Sequence, residues 1–130
     1  MKLSSKTHYG LMACHILGLS NEPVSASKLE SSIGVSGKYL EKIMRALSKR
    51  EIVVASRGAN GGYYLKREPS EITIGEIVRA LEDDIKIIEC VDSKGKCKCC
   101  PSQRVWKKLY DGINGLLDSM SLRQMIDGEV

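Results

Sequence analysis

Four of the five cysteines fall within eleven residues, at Cys90, Cys97, Cys99 and Cys100. Five is an odd number, and four thiols so closely clustered are a poor framework for stapling a secreted fold. They fit a reducing compartment, the cytoplasm, where such thiols bind metal or sense redox state. Lys94, Lys96 and Lys98 are interleaved with them, and cations so close lower thiol pKa values and offset the negative charge of a thiolate-ligated centre. His8 and His15 lie far from the cysteines in sequence and no nucleophile and base pair stands out, which argues against an enzyme.

The frame holding this segment is small. The chain has 130 residues, 42% hydrophobic and 28% charged, the balance of one soluble globular domain with at most an appendage. With no Phe and one Trp, the core must be aliphatic, and exposed aromatic platforms for single-stranded nucleic acid are not expected. No run of 18 apolar residues spans a membrane. Tyr9 to Leu19 has the length of a leader core, but His15 interrupts it and no small-residue cleavage site follows, so it is read as a helix. Residues 1–70 carry eleven Lys/Arg against five Asp/Glu, and residues 71–130 nine against eleven. The excess suggests that the first half alone meets a polyanion, although so small a surplus also suits an ordinary solvated surface.

Periodicity predicts a helix from Lys6 to Ser20, a second from Ser25 to Ile33 capped by Ser25, and a third from Ser36 to Arg50 capped by Ser36. Gly34 suits the left-handed residue that ends the second helix. In the third, Leu40, Ile43, Met44 and Leu47 recur at i, i+3, i+4, i+7, opposite Lys38, Glu41, Lys42, Arg45 and Lys49. Two short helices around a glycine turn form a helix-turn-helix pattern, which a plain helical bundle also produces. The β-branched run Glu51 to Arg57, the glycine tip Gly58-Ala59-Asn60-Gly61-Gly62 and the run Gly62 to Lys66 predict a hairpin directly after it. That order makes a winged helix, with the third helix in the major groove and Arg57 at the base of a wing reaching the minor groove. A capping box, Thr73 with Glu76, opens a fourth helix to about Asp84. A last helix follows from about Pro101 to Met120, with Val105, Leu109, Ile113, Leu116, Leu117 and Met120 on its apolar side. That stripe has no evident partner within the chain, so a symmetric homodimer through this helix is expected, presenting two recognition helices to a palindromic site. The fold expected is mainly α with a small β-hairpin. Residues 1–70 form a winged helix-turn-helix domain, and residues 71–130 a sensor loop (85–101) with dimerisation helices.

Several segments together carry a family resemblance: Met1-Lys2-Leu3-Ser4-Ser5-Lys6 with Tyr9-Gly10, Tyr39-Leu40-Glu41, Arg57-Gly58-Ala59-Asn60-Gly61-Gly62-Tyr63, Ile74-Gly75-Glu76-Ile77, and a cysteine six residues before Trp106. The chain resembles the winged-helix regulators typified by IscR, NsrR and CymR over nearly its whole length. The resemblance implies a dimeric transcription regulator, expected to be a repressor, that binds double-stranded DNA. Carried over by position, the contacts are Ser36, Lys38, Tyr39, Glu41 and Lys42 from the third helix and Arg57, Asn60 and Gly61 from the wing. Lys38 and Lys42 suit phosphates or guanine acceptors, Tyr39 a phosphate, and Glu41 a cytosine amino group. Glu41 is equally placed to pair with Arg45, four residues on.

Many members of this family hold an iron–sulfur cluster on three cysteines before the last helix, and CymR-type members lack them. The resemblance implies Cys90 and Cys100 as outer ligands. The segment, Cys90-x6-Cys97-x-Cys99-Cys100, is shorter and richer in thiols than the usual pattern. Cys97 is the choice for the middle ligand and Cys99 the alternative. A 2Fe-2S cluster is the first expectation and 4Fe-4S the second. Gln103 stands where some relatives supply a His ligand, and His8 occupies a place comparable to the fourth ligand of the nitric-oxide-sensing type, unless it is merely structural. Cys14 and His15 read as packing residues. Two other readings stay open: a regulator of the same fold whose thiols act without a cluster, by a Cys99-Cys100 disulfide, a persulfide or a soft metal, and a small thiol redox or metal-storage protein.

Overall fold

The computed structural model describes residues 2–83, Ile85 and residues 101–130. Serine side chains start the first three helices. Ser4 accepts from the Thr7 amide ahead of α1 (Ser5–Leu19), Ser25 from Lys28 ahead of α2 (Ala26–Ile33), and Ser36 from Tyr39 ahead of α3 (Gly37–Lys49). Each hydroxyl satisfies an amide the first turn would otherwise leave unpaired. Gly34 ends α2 in the left-handed conformation, φ +81°, and its N–H closes on the Glu30 carbonyl at 2.8 Å.

Strands β1 (Val53–Ser56) and β2 (Gly62–Leu65) pair antiparallel, Val53 opposite Leu65 and Ser56 opposite Gly62. A turn of 3-10 helix (Pro69–Glu71) leads to α4 (Ile74–Leu81), opened by the Thr73–Glu76 capping box. Then come α5 (Gln103–Ser119) and α6 (Leu122–Ile126). Among the described residues the fold is thus mainly helical with one small hairpin, as the periodicity implied.

The core is aliphatic throughout. Leu40, Ile43, Met44 and Leu47 of α3 are fully buried against Ala13 and Cys14 of α1, Leu29 of α2 and Ile52. It continues past residue 70, because Ile72, Ile77, Leu81 and Leu122 belong to the same cluster. Burial pushes the Cys14 thiol up to about 12, so this cysteine packs as a small hydrophobe with no thiolate at neutral pH.

Three features depart from the sequence expectation. First, the helix to Met120 is not the last: Ser121 and Gln124 form a second capping box that starts α6, whose Leu122 is completely buried. Second, Val24 pairs with Tyr63, their N–H and carbonyl groups exchanging bonds of 2.9 and 2.8 Å, which ties the α1–α2 connection to the wing. Gly62 permits this approach, since a Cβ there would run into the Val24 carbonyl. Third, the apolar side of α5 is divided. Ile113, Leu117 and Met120 pack on Ile74, Val78 and Ile85, so part of the stripe does have a partner within the chain. Val105, Leu109 and Leu116 stay 60%, 46% and 64% exposed. Arg79 of α4 locks the two helices in register, its Nη2 donating to both Asp118 oxygens at 2.6 Å.

Candidate nucleic-acid interface

Helix α3 turns one face into the core and the opposite face outward. On the outer face Ser36, Lys38, Glu41 and Lys42 are exposed. The Ser36 hydroxyl accepts from the Tyr39 amide at 3.2 Å, which leaves its own proton to donate to a phosphate arriving at the positive end of the helix. Among the described residues neither Lys38 nor Lys42 has an ion-pair partner. Glu41 does: Arg45 Nη2 donates to its carboxylate at 2.9 Å. Both side chains of that pair are about two-thirds exposed, so it contributes little and yields readily to a base edge. Tyr39 is half-buried, its ring edge-on to Tyr9 at 6.0 Å, which fixes the direction in which the phenol projects.

The wing follows through a reversal that no glycine announces. Glu51 takes φ +58°, the left-handed position after a helix. The Ile52 amide bonds back to Leu47 at 3.1 Å and the Glu51 amide to Ser48 at 3.0 Å, the paired closure of a Schellman motif. Buried Ile52 holds the turn, and Lys66 Nζ donates to the Glu51 carboxylate at 3.0 Å. These bonds set β1 against the end of α3, so they decide how wing and helix are presented together. At the wing tip Gly58 has φ +110° and the Gly61 N–H closes on its carbonyl at 2.9 Å. A Cβ on Gly61 would lie 2.6 Å from the Ser56 carbonyl oxygen, so the tight tip requires glycine there. Arg57 and Asn60 project into solvent, and no carboxylate among the described residues pairs with Arg57.

Cys90, Cys97, Cys99 and Cys100 lie outside the described residues, together with the rest of residues 86–100. Among the described residues no three His, Cys, Asp or Glu side chains are grouped to hold a metal ion. The approach to the segment from α4 is tied down, however. Glu82, just past α4, accepts at one carboxylate oxygen from the Ser4 amide (2.6 Å), the Ser4 hydroxyl (2.7 Å) and the Thr7 hydroxyl (2.6 Å). Exposed His8, stacked obliquely 5.4 Å from Tyr9, therefore sits on the same first turn of α1 that anchors the entry to the cysteine segment. His15 instead lines a shallow apolar groove with Met12, Ile16 and Met125.

This anchor was not legible in the sequence, its partners being 75 and 78 residues apart. It makes a pH prediction. Partial burial opposes ionisation of Glu82, but the Thr7 and Ser4 donors and the nearby Lys6 charge outweigh it, leaving the carboxyl below its ordinary value. A carboxyl depressed by folding stabilises the native state at neutral pH and loses that contribution as pH falls through its folded pKa. Glu82→Gln is expected to be less stable than the parent in urea at pH 7, with the gap narrowing on acidification. A gap independent of pH contradicts the anchor.

The sequence model of the Rrf2 family, described as iron-dependent transcriptional regulator, matches residues 3–128. The chain belongs to the Rrf2 family. Among curated relatives, this Rrf2 chain is 30% identical over 134 aligned residues to the HTH-type transcriptional regulator IscR of Escherichia coli O1:K1, covering 99% of this chain and 82% of the relative. Among solved structures it is similar to CymR, the global cysteine regulator of B. subtilis, with TM-score 0.81, 32% identity and 98% and 97% of the two chains covered. It is also similar to T. potens IscR, with TM-score 0.78, 35% identity and 100% and 89% covered. The Rrf2 chain is therefore a winged-helix transcriptional regulator, akin to regulators and not to enzymes. Among the described residues no helix is long and apolar enough to cross a membrane.

Proposed function

We propose that this Rrf2 protein is a dimeric cytoplasmic repressor that reads a palindromic duplex through α3 and the wing, and whose affinity is set by an iron–sulfur cluster on the cysteine segment. The observation that carries the first half is the pairing of a serine-capped helix, whose outer Lys38 and Lys42 have no ion-pair partner among the described residues, with an immediately following glycine-tipped wing that exposes Arg57. Ser36, Lys38, Tyr39, Glu41 and Lys42 are assigned to the major groove and its phosphates, and Arg57, Asn60 and Gly61 to the adjacent minor groove. Cations left unpaired in the free protein meet phosphate without first breaking an internal bridge.

For the second half, the donor set fits the group. Cys90, Cys97 and Cys100 supply the soft thiolates iron prefers, Cys99 adjoins them in sequence, His8 on the first turn of α1 is the candidate nitrogen donor, and three interleaved lysines balance the charge. Bound there, a 2Fe-2S or 4Fe-4S cluster supplies a centre that responds to iron supply, oxidant or nitric oxide. The chain's own part is transmission: Glu82 ties the entry of the segment to the start of α1, and the Arg79–Asp118 bridge ties α4 to α5. Any ligand of the segment that favours one arrangement of these elements changes operator affinity by its differential binding to the two states. The likeness to a cysteine regulator favours a second reading, in which the thiols respond without a cluster.

Anaerobic purification separates the two. The cluster reading expects a coloured protein with about two irons per chain for 2Fe-2S, and loss of iron and colour on Cys90→Ala. A colourless, iron-free protein that still binds its promoter moves the assignment to the thiols alone.

A further inference from the structure

Beyond the groove contacts there is a second cationic feature. Lys38, Lys42, Arg45 and Lys49 follow one another at i, i+4, i+7 and i+11, a straight stripe along the outer face of α3. At a rise of about 1.5 Å per residue, Lys49 lies about 16 Å along the helix from Lys38. The major groove is only about 12 Å wide, so a helix that places Lys38 and Lys42 at its floor carries the far end of the stripe toward a phosphate wall.

At that far end the surface is concave. Lys6 from the first turn of α1 joins Lys42, Arg45, Lys49 and Arg50 around a hollow of about 340 Å³, with Asp83 beyond the end of α4 on its rim. Lys42, Lys49, Arg50 and Asp83 form no ion pair among the described residues. Among the described residues the hollow has no aromatic lining, and Ala46 and Ala80 stand between the charges, which argues against a protein hot spot.

We infer that this hollow is a seat for the DNA backbone, in which Lys49, Arg50 and Lys6 hold phosphates flanking the half-site that α3 reads. The inference rests on the proposed duplex binding and extends it to residues that carry no sequence information. Phosphate contacts fix the register of the protein on the duplex and set its salt dependence, but they do not discriminate bases. Asp83 is the repulsive group at this seat and limits its affinity.

The test is fluorescence anisotropy of the full-length protein on its promoter fragment and on a scrambled duplex across a salt series. Lys49→Gln with Arg50→Gln is expected to weaken binding to both duplexes about tenfold at moderate salt. The ratio between the two stays unchanged, and the slope of log affinity against log salt falls by about two per bound protomer. Asp83→Asn should tighten both duplexes equally. Lys49→Gln alone, with about half the slope change, serves if the double variant loses its fold by circular dichroism. A wild-type slope in these variants, or a change in the ratio between duplexes, overturns the seat. If the wild-type protein itself binds neither duplex, the parent reading fails instead.

Discussion

Leu109→Glu combined with Leu116→Glu should convert a micromolar dimer into a 14.3 kDa monomer. The two leucines and Val105 line an apolar groove of about 450 Å³ along α5, beside Gly112, where a Cβ would meet only open space. A glycine and three large apolar side chains on one exposed strip let a second helix approach closely and bury what this chain leaves wet. The other strip of α5 is already covered by α4, so the fold does not depend on the exposed one. Two carboxylates per protomer forced into such a contact cost several kcal/mol, enough to raise the dimer dissociation constant a thousandfold or more. Operator affinity should fall by about 10² to 10⁴, since the second half-site is no longer bound at the effective concentration set by the first. Sedimentation velocity checks the first number and anisotropy on the palindrome the second, with an unchanged circular dichroism spectrum as control. A wild-type protein that sediments as a monomer at micromolar concentration ends the dimeric account.

Arg57→Ala is the second large effect: operator binding should weaken by about 1–3 kcal/mol, or roughly 5- to 150-fold, as for loss of one good groove contact. Arg57 is exposed at the base of the wing and unpaired among the described residues, so its removal leaves the hairpin register and the core untouched. A guanidinium in a narrow minor groove profits from concentrated negative potential, so the loss should be greater where the wing meets an A·T-rich flank than a G·C-rich one. Full affinity in the variant on both flanks removes Arg57 from the interface. The contrast with Lys49 and Arg50 matters: loss of Arg57 should change the preference among sequences, whereas loss of the backbone seat should not.

Much of the fold was readable because its signals are local. Ser25, Ser36 and Thr73 cap helices three residues away, Gly34 needs only its own positive φ, and the face of α3 is written in four residues over two turns. What stayed hidden depends on distant partners or on weak local signals. Helix α6 spans five residues, Leu122–Ile126, too few for a period to show, and it is held by Leu122 and by the bridge between Thr73 and Ser121. The two strips of α5 are both apolar, so sequence could not say that α4 covers one and leaves the other. The turn after α3 carries no local signal because Glu51 stands where glycine is usual. The cationic face of the candidate interface was legible residue by residue, and so was the Glu41–Arg45 pair as an alternative. The half-burial of Tyr39 against Tyr9 and the Ser4–Thr7–Glu82 anchor arise only from tertiary packing.

The claim on which the rest stands is that α3 and the wing form one surface that reads duplex DNA. Hydroxyl-radical footprinting of the protein on its own upstream region, at low ionic strength and against bulk competitor, tests it most directly. Two protected stretches of backbone are expected, one helical turn apart or a whole number of turns, with further protection of the adjoining minor-groove sugars that disappears in Arg57→Ala. Uniform protection indistinguishable from that on competitor DNA, in the metallated and the bare protein alike, would contradict it.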